Sequence, residues 1–194
     1  MTPFTTEQIK HLISAMGKKG YVVYSNGKLN LVGIRLNHAV TNRFDDELVA
    51  FTTDGGVSMD CTTDPGSYYM TYPMSDRGTA VLAPGQYVAA YRLGKHKGYD
   101  AIVQARPVTV YRDWKDNGKL DYTNPETGMF GINIHRANAV VRSKQVDRWS
   151  AGCTVVADPT DFSHLLYMAK NSAHEFGPEL TYTLMEEADL HDEQ

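Results

Sequence analysis

Two cysteines, Cys61 and Cys153, are all that a chain of 194 residues contains. A disulfide-built scaffold is therefore excluded, and a single bridge is the less expected state in a chain that opens without a secretory signal. The first residues, MTPFTTEQIKHLISAMGKK, lack the basic start, apolar stretch and small-residue cleavage site of such a signal. Residence in the cytoplasm, or export by another route, is the expectation. No run of eighteen apolar residues occurs, so no membrane-spanning helix is expected. Positive charge is not in excess: 19 Lys and Arg stand against 23 Asp and Glu, a net of −4, which argues against a nucleic-acid partner. Metal signatures of the CxxC or HExxH type are absent, and no cofactor is expected.

What is present is an ordinary globular composition, 42% hydrophobic and 22% charged, of a size that suits one domain spanning residues 1–194. An amphipathic helix over 5–18 is indicated by Thr5 or Thr6 as cap, with Ile9, Leu12, Ile13 and Met16 at helical spacing and Gly17 near the end. A run of strand signals follows. Tyr21–Tyr24 and Leu29–Arg35 flank an Asn26-Gly27 hairpin turn. Further strands are expected at Leu48–Thr53, Val57–Thr62, Ser67–Tyr72, Thr79–Leu82, Gly85–Leu93, Ala101–Gln104 and Val108–Tyr111. A second helix over 159–172 is expected, capped near Pro159–Asp161, with Phe162, Leu165, Leu166, Met168 and Ala169 apolar. The acidic tail from Leu190 is expected to fray. Strands at this spacing with little helix between them imply a mainly β, α+β fold of sandwich or barrel type with flanking helices.

The chemistry is concentrated between Met129 and Val156. Alternation in FGINIH places Ile132 and Ile134 on one strand face and Asn133 and His135 on the other. Eighteen residues later, Ser150-Ala151-Gly152 forms a small-residue turn ending in Cys153. A thiol needs a base or a positive environment to act as a nucleophile, and His135 offers the base. Gly152 lets backbone N–H groups approach a carbonyl, so the amides of Gly152 and Cys153 are candidates for an oxyanion hole. Asn133 is a candidate polar neighbour of the base and Arg136 a candidate partner for a substrate carboxylate, against the simpler reading of a solvated arginine. Against the catalytic reading of Cys153 stands that of a buried structural thiol.

His135 followed by Ser150-Ala151-Gly152-Cys153 resembles the signature of the L,D-transpeptidase (YkuD-like) catalytic domain. The Thr63-Asp64-Pro65-Gly66-Ser67-Tyr68 segment is similar to that family's Thr-Pro-x-Gly-x-Phe/Tyr segment. The resemblance spans roughly Tyr21 to Phe162. It departs from the pattern at Ala151, where the family has a second histidine, at Arg136, where a glycine is usual, and at Val155, where an arginine is common. The resemblance implies a YkuD-like β-sandwich and a cysteine acyl-transfer enzyme acting on peptidoglycan stem peptides. Cys153 would form the thioester, His135 would be the base, and Ser150, Ala151, Thr63, Asp64 and Tyr69 would flank the substrate groove. Hydrolysis is favoured over cross-linking. LNLVGIR, TTDPG and WSAGC are also similar to stretches of small bacteriophage and phage-host proteins, which fits lysis or wall modification.

Other readings stay open: a catalytically silent wall-binding protein, or a structural component of a phage particle, on the same fold. Cys61, Cys153, His135 and His96 have the ligand chemistry for zinc but no spacing signature. Asp113, Asn117, Gly118 and Asp121 echo a calcium loop, yet Lys115 puts a cation where an oxygen ligand is needed and Asn124 stands where an acidic residue is needed, and a non-binding turn is the better reading. His96 in Leu-Gly-Lys-His-Lys-Gly reads as a solvated hairpin tip in preference to an anion contact.

Overall fold

The computed structural model describes residues 1–36, 42–113 and 122–191. Its strands are β1 (Thr2–Phe4), β2 (Asn30–Arg35), β3 (Asp46–Thr52), β4 (Gly55–Thr62), β5 (Thr79–Leu82), β6 (Gly85–His96), β7 (Tyr99–Gln104), β8 (Val108–Asp113), β9 (Glu126–Gly128), β10 (Ile134–Arg136), β11 (Thr154–Val156) and β12 (Glu179–Glu186). Among the described residues three α-helices, α1 (Thr6–Lys18), α2 (Ser67–Thr71) and α3 (Pro159–Phe176), accompany them. The fold is mainly β with few helices. In the large mixed sheet the order β1-β4-β11-β10-β7-β6-β12-β2-β3 returns on itself, because β3 also pairs with β4. A closed ring leaves its strands no open edge, so the interior fills with alternate side chains from every strand. A separate three-stranded sheet has the order β5-β8-β9.

Alternation explains both faces of β2 and β12. Leu31, Leu180, Tyr182 and Leu184 join the ring interior with Tyr91, Ile102, Ile134 and Val156. Val32, Ile34 and Met185 pack outward with Phe51 against Ile9, Leu12 and Met16 of α1. Gly33 faces inward because Tyr182 crosses above it: a Cβ there would run into the Tyr182 hydroxyl. That hydroxyl meets Thr154 Oγ1 at 2.9 Å, tying β12 to the strand that follows Cys153. Helix α1 starts on a capping box, Thr5 with Gln8. Helix α3 starts on the Asp158 carboxylate, which accepts from Thr160 N–H at 2.8 Å, and buries Phe162, Leu165 and Ala169.

Three expectations need correction. Ser67–Tyr72 is not a strand: Ser67–Thr71 is helix α2, opened by the Tyr69 and Met70 N–H groups donating to Gly66 O. Tyr21–Tyr24 forms no ladder, since side chains take its donors: Val22 N–H goes to Gln86 Oε1 and Tyr24 N–H to Asn30 Oδ1, each at 2.8 Å. In FGINIH only Ile134 and His135, the first two residues of β10, are strand, because the N–H groups of Phe130 and Ile132 donate to Gln104 Oε1 at 3.1 and 3.0 Å. The calcium-loop reading falls largely on 114–121, outside the described residues.

Candidate active site

Strands β10 and β11 run parallel and side by side, with His135 opposite Val155. This register brings the end of the Ser150-Ala151-Gly152-Cys153 turn beside the strand that carries the histidine. The turn is shaped by Ser150, which is fully buried. Its hydroxyl donates to Cys153 O at 2.8 Å and accepts from Gly152 N–H at 3.1 Å. Gly152 has φ of +116°, and a Cβ there would collide with the Ala80 carbonyl. Glycine is required by conformation and by space alike. Ser150 O in turn accepts from Gly66 N–H at 2.9 Å, which fastens the Thr63–Gly66 segment to the cysteine turn.

Cys153, 8% exposed, and His135, 3% exposed, both border one cavity of about 340 Å³. The wall includes Tyr69, Phe130, Trp149 and Ala151, and its charged members are Lys97, Arg112 and Arg148. No carboxylate belongs to the described lining. Arg112 is held by Glu126 at 3.0 Å, whereas Arg148 lies over the Tyr68 ring at 3.8 Å.

The hydrogen bonds define the resting state. Asn133 N–H donates to Cys153 Sγ at 3.4 Å, and the thiol donates to Gly131 O at 3.4 Å. The thiol proton is therefore turned to a backbone carbonyl. His135 Nδ1 lies 2.8 Å from Arg136 O, which only accepts, so Nδ1 carries the ring proton and Nε2 presents its lone pair. Tyr99 O–H donates to the same carbonyl at 3.3 Å. Burial raises the Cys153 thiol to about 11. Burial, with the neighbouring His96, lowers His135 to about 3. Both groups rest neutral, and a preformed thiolate–imidazolium pair is disfavoured.

The remaining sequence candidates divide. Tyr69 and Ala151 line the cavity. Asn133 sits behind it, its amide bridging Gln104 N–H at 2.9 Å and His96 Nδ1 at 3.1 Å. Ser150 shapes the turn and does not line the described cavity. Arg136 is turned away, its guanidinium 4.2 Å from the Tyr99 ring centre. Thr63 and Asp64 are not groove wall. They enclose Arg35, which donates to Thr63 O at 2.9 Å and Thr63 Oγ1 at 3.0 Å. Asp64 Oδ1 lies 2.8 Å from Arg35 Nε, but that N–H is directed at Thr63 Oγ1, so Asp64 supplies charge there without a hydrogen bond. The oxyanion role of Gly152 N–H is also corrected, since Ser150 Oγ occupies it. The zinc set does not assemble: Cys61 is packed in the ring interior opposite Val156, and no group of three or more His, Cys, Asp or Glu among the described residues is placed to hold a metal ion.

Sequence reasoning took His96 for a solvated hairpin tip and passed over Gln104. His96 stands at the end of β6 and stacks on His135, rings 4.0 Å apart and inclined by 10°. It is half-buried, not a solvated tip. Gln104 accepts from Phe130 and Ile132 N–H and donates to Gly128 O at 2.8 Å, pinning the loop that carries Gly131 O to the thiol. Neither residue belongs to a linear motif; only strand pairing brings them to the site. No family model matches the chain, and no curated protein sequence is significantly similar to it. No helix among the described residues is long and apolar enough to cross a membrane.

Proposed function

We propose that this protein is a cysteine acyl-transfer enzyme of YkuD-like design acting on peptidoglycan stem peptides. Cys153 is the nucleophile and His135 the general base. One observation carries the reading: thiol and imidazole border the same cavity, and Arg136 O holds the ring proton on Nδ1 so that Nε2 is the basic edge. With both groups neutral at rest, proton transfer accompanies attack. The Cys153 sulfur bonds to the acyl carbon as His135 Nε2 takes the thiol proton, and that proton then goes to the leaving amine. Water or an amine completes the turnover, and hydrolysis is the favoured outcome. The cationic wall of Lys97 and Arg148 suits a substrate bearing carboxylates. Phage lysis or wall modification is the setting suggested by the sequence resemblance.

A second reading, a silent wall-binding groove, draws on the same neutral pair, because a thiol near 11 beside an imidazole near 3 is far from activated. Incubation of purified sacculi with wild type and with Cys153→Ala separates the two. Products formed by wild type alone, read by muropeptide mass, support the enzyme and distinguish cleavage from cross-linking. Identical muropeptides from both proteins reject it in favour of binding.

A further inference from the structure

The two stacked imidazoles are held in opposite tautomers. Gln104 N–H is a backbone donor, so the Asn133 atom it meets at 2.9 Å is the amide oxygen. The other end of that amide is then NH₂, and it donates to His96 Nδ1 at 3.1 Å. An accepting Nδ1 leaves the ring proton of neutral His96 on Nε2. His135, whose Nδ1–H donates to Arg136 O, is the reverse case. One ring presents a base and the ring stacked on it presents a donor. Among the described residues His96 Nε2 has no hydrogen-bond partner, and His96 borders the cavity with Cys153. In the cysteine turn Gly152 N–H is taken by Ser150 Oγ, and Ala151 brings no polar side chain.

We propose that His96 is a substrate-binding residue whose Nε2–H donates a hydrogen bond to the acyl carbonyl oxygen as Cys153 attacks. The inference rests on the acyl-transfer reading. As the S–C bond forms, the carbonyl π pair moves onto oxygen, and the hydrogen bond from His96 stabilises that charge; the His96 proton stays on nitrogen. The thiol proton goes to His135, and the leaving group departs with the electrons of its bond to carbon. The β6–β7 hairpin thus supplies a side-chain donor to the site, where Gly152 N–H is already taken within the cysteine turn.

Two probes of Cys153 separate oxyanion stabilisation from thiol reactivity. 4-Nitrophenyl acetate reacts through a tetrahedral oxyanion and releases nitrophenolate, whereas iodoacetamide reacts by displacement at saturated carbon. Wild type, His96→Phe, His96→Gln and Cys153→Ala are compared at pH 8.5, with alkylation read at Cys153 by peptide mass. Phenylalanine keeps a ring on His135 but has no donor; glutamine restores an N–H. The expected result is a fall of about 10²-fold in acylation for His96→Phe, alkylation within about twofold of wild type, and at least partial recovery in His96→Gln. Equal loss of both rates, or loss of neither, overturns the role of His96. A wild-type burst no larger than that of Cys153→Ala rejects the acyl-transfer reading, and the His96 role falls with it. Long-range ¹H–¹⁵N NMR of wild type reads the tautomers without any turnover: a proton on His96 Nδ1 overturns the proposal, and one on Nε2 supports it.

Discussion

At the residue scale, the site is governed by where two protons rest. The Cys153 thiol keeps its proton and donates a hydrogen bond to Gly131 O, and His135 keeps its own on Nδ1. Burial raises the thiol to about 11, so alkylation of Cys153 should be slow at neutral pH and climb steadily from pH 8 to 11. His135→Gln should leave that profile nearly unchanged, while reducing turnover by about 10²- to 10⁴-fold if general-base catalysis operates. A plateau of fast alkylation below pH 7, lost in His135→Gln, would show instead that an ion pair preexists. Gly152 makes a sharper prediction about stability. With φ at +116° and the Ala80 carbonyl where a Cβ would stand, Gly152→Ala combines backbone strain with a steric collision. A loss of roughly 2–4 kcal/mol is expected, read from denaturant unfolding. A variant as stable as wild type would mean that the turn can adopt another conformation.

At the scale of elements, the loop before β10 is organised by one side chain of β7. Gln104 holds the N–H groups of Phe130 and Ile132 with its carbonyl oxygen and the Gly128 and Arg106 carbonyls with its amide nitrogen. Gln104→Leu keeps comparable bulk and leaves four backbone groups without that partner. A cost of about 2–4 kcal/mol in urea unfolding is expected, together with faster hydrogen exchange at Phe130 and Ile132. Unchanged exchange there would show that the loop is held by other contacts. The same residues show why the sequence was only partly legible. Alternation located β2 to β8 to within a few residues, since those strands satisfy their donors in ladders. FGINIH alternates equally well, yet most of it lies outside the ladder because Gln104 captures its amides, and no local pattern encodes a partner on another strand. The error at Ser67–Thr71 has a related cause. Its aromatic run reads as strand, but Gly66, fastened to Ser150 O, also accepts the first turn of a helix. β12 is the opposite case: Leu180, Tyr182 and Leu184 alternate with Thr181 and Thr183, a period-two signal that was present but not used.

At the scale of the whole molecule, a sandwich or a barrel was expected, but the strand that helps to close the ring, β12, was missing from the sequence reading. β12 pairs with β2 in parallel and with β6 antiparallel, so it joins the N-terminal strands to the hairpin bearing His96. Cys153 and His135 could be paired from one linear motif; the supporting groups arrive from strands distant in sequence. Closure also buries charge. Arg35, 2% exposed at the end of β2, is enclosed with Asp46 and Asp64. Asp46 is well supported, accepting from Thr63 N–H at 2.7 Å, Thr63 O–H at 2.8 Å and Leu36 N–H at 2.9 Å. Asp64 has less support, and burial, opposed by Arg35, raises its carboxyl to about 7. An unfolded aspartate titrates near its ordinary value of about 3.9, so between about pH 4 and pH 7 the folded protein retains a proton that the unfolded chain has released. Stability contributed at this group is therefore present below that window, falls as pH rises through it, and is constant above. Asp64→Asn is neutral throughout and leaves Arg35 with Asp46 as counter-charge. The variant should match wild type near pH 4 and gain in unfolding temperature relative to it as pH rises to 8, measured by thermal denaturation across that range. A wild type that gains on the variant with rising pH would show that ionised Asp64 is a net stabilising partner of Arg35. The segment joining this cluster to Ser150 O would then be fastened to the cysteine turn by charge as well as by the Gly66 hydrogen bond.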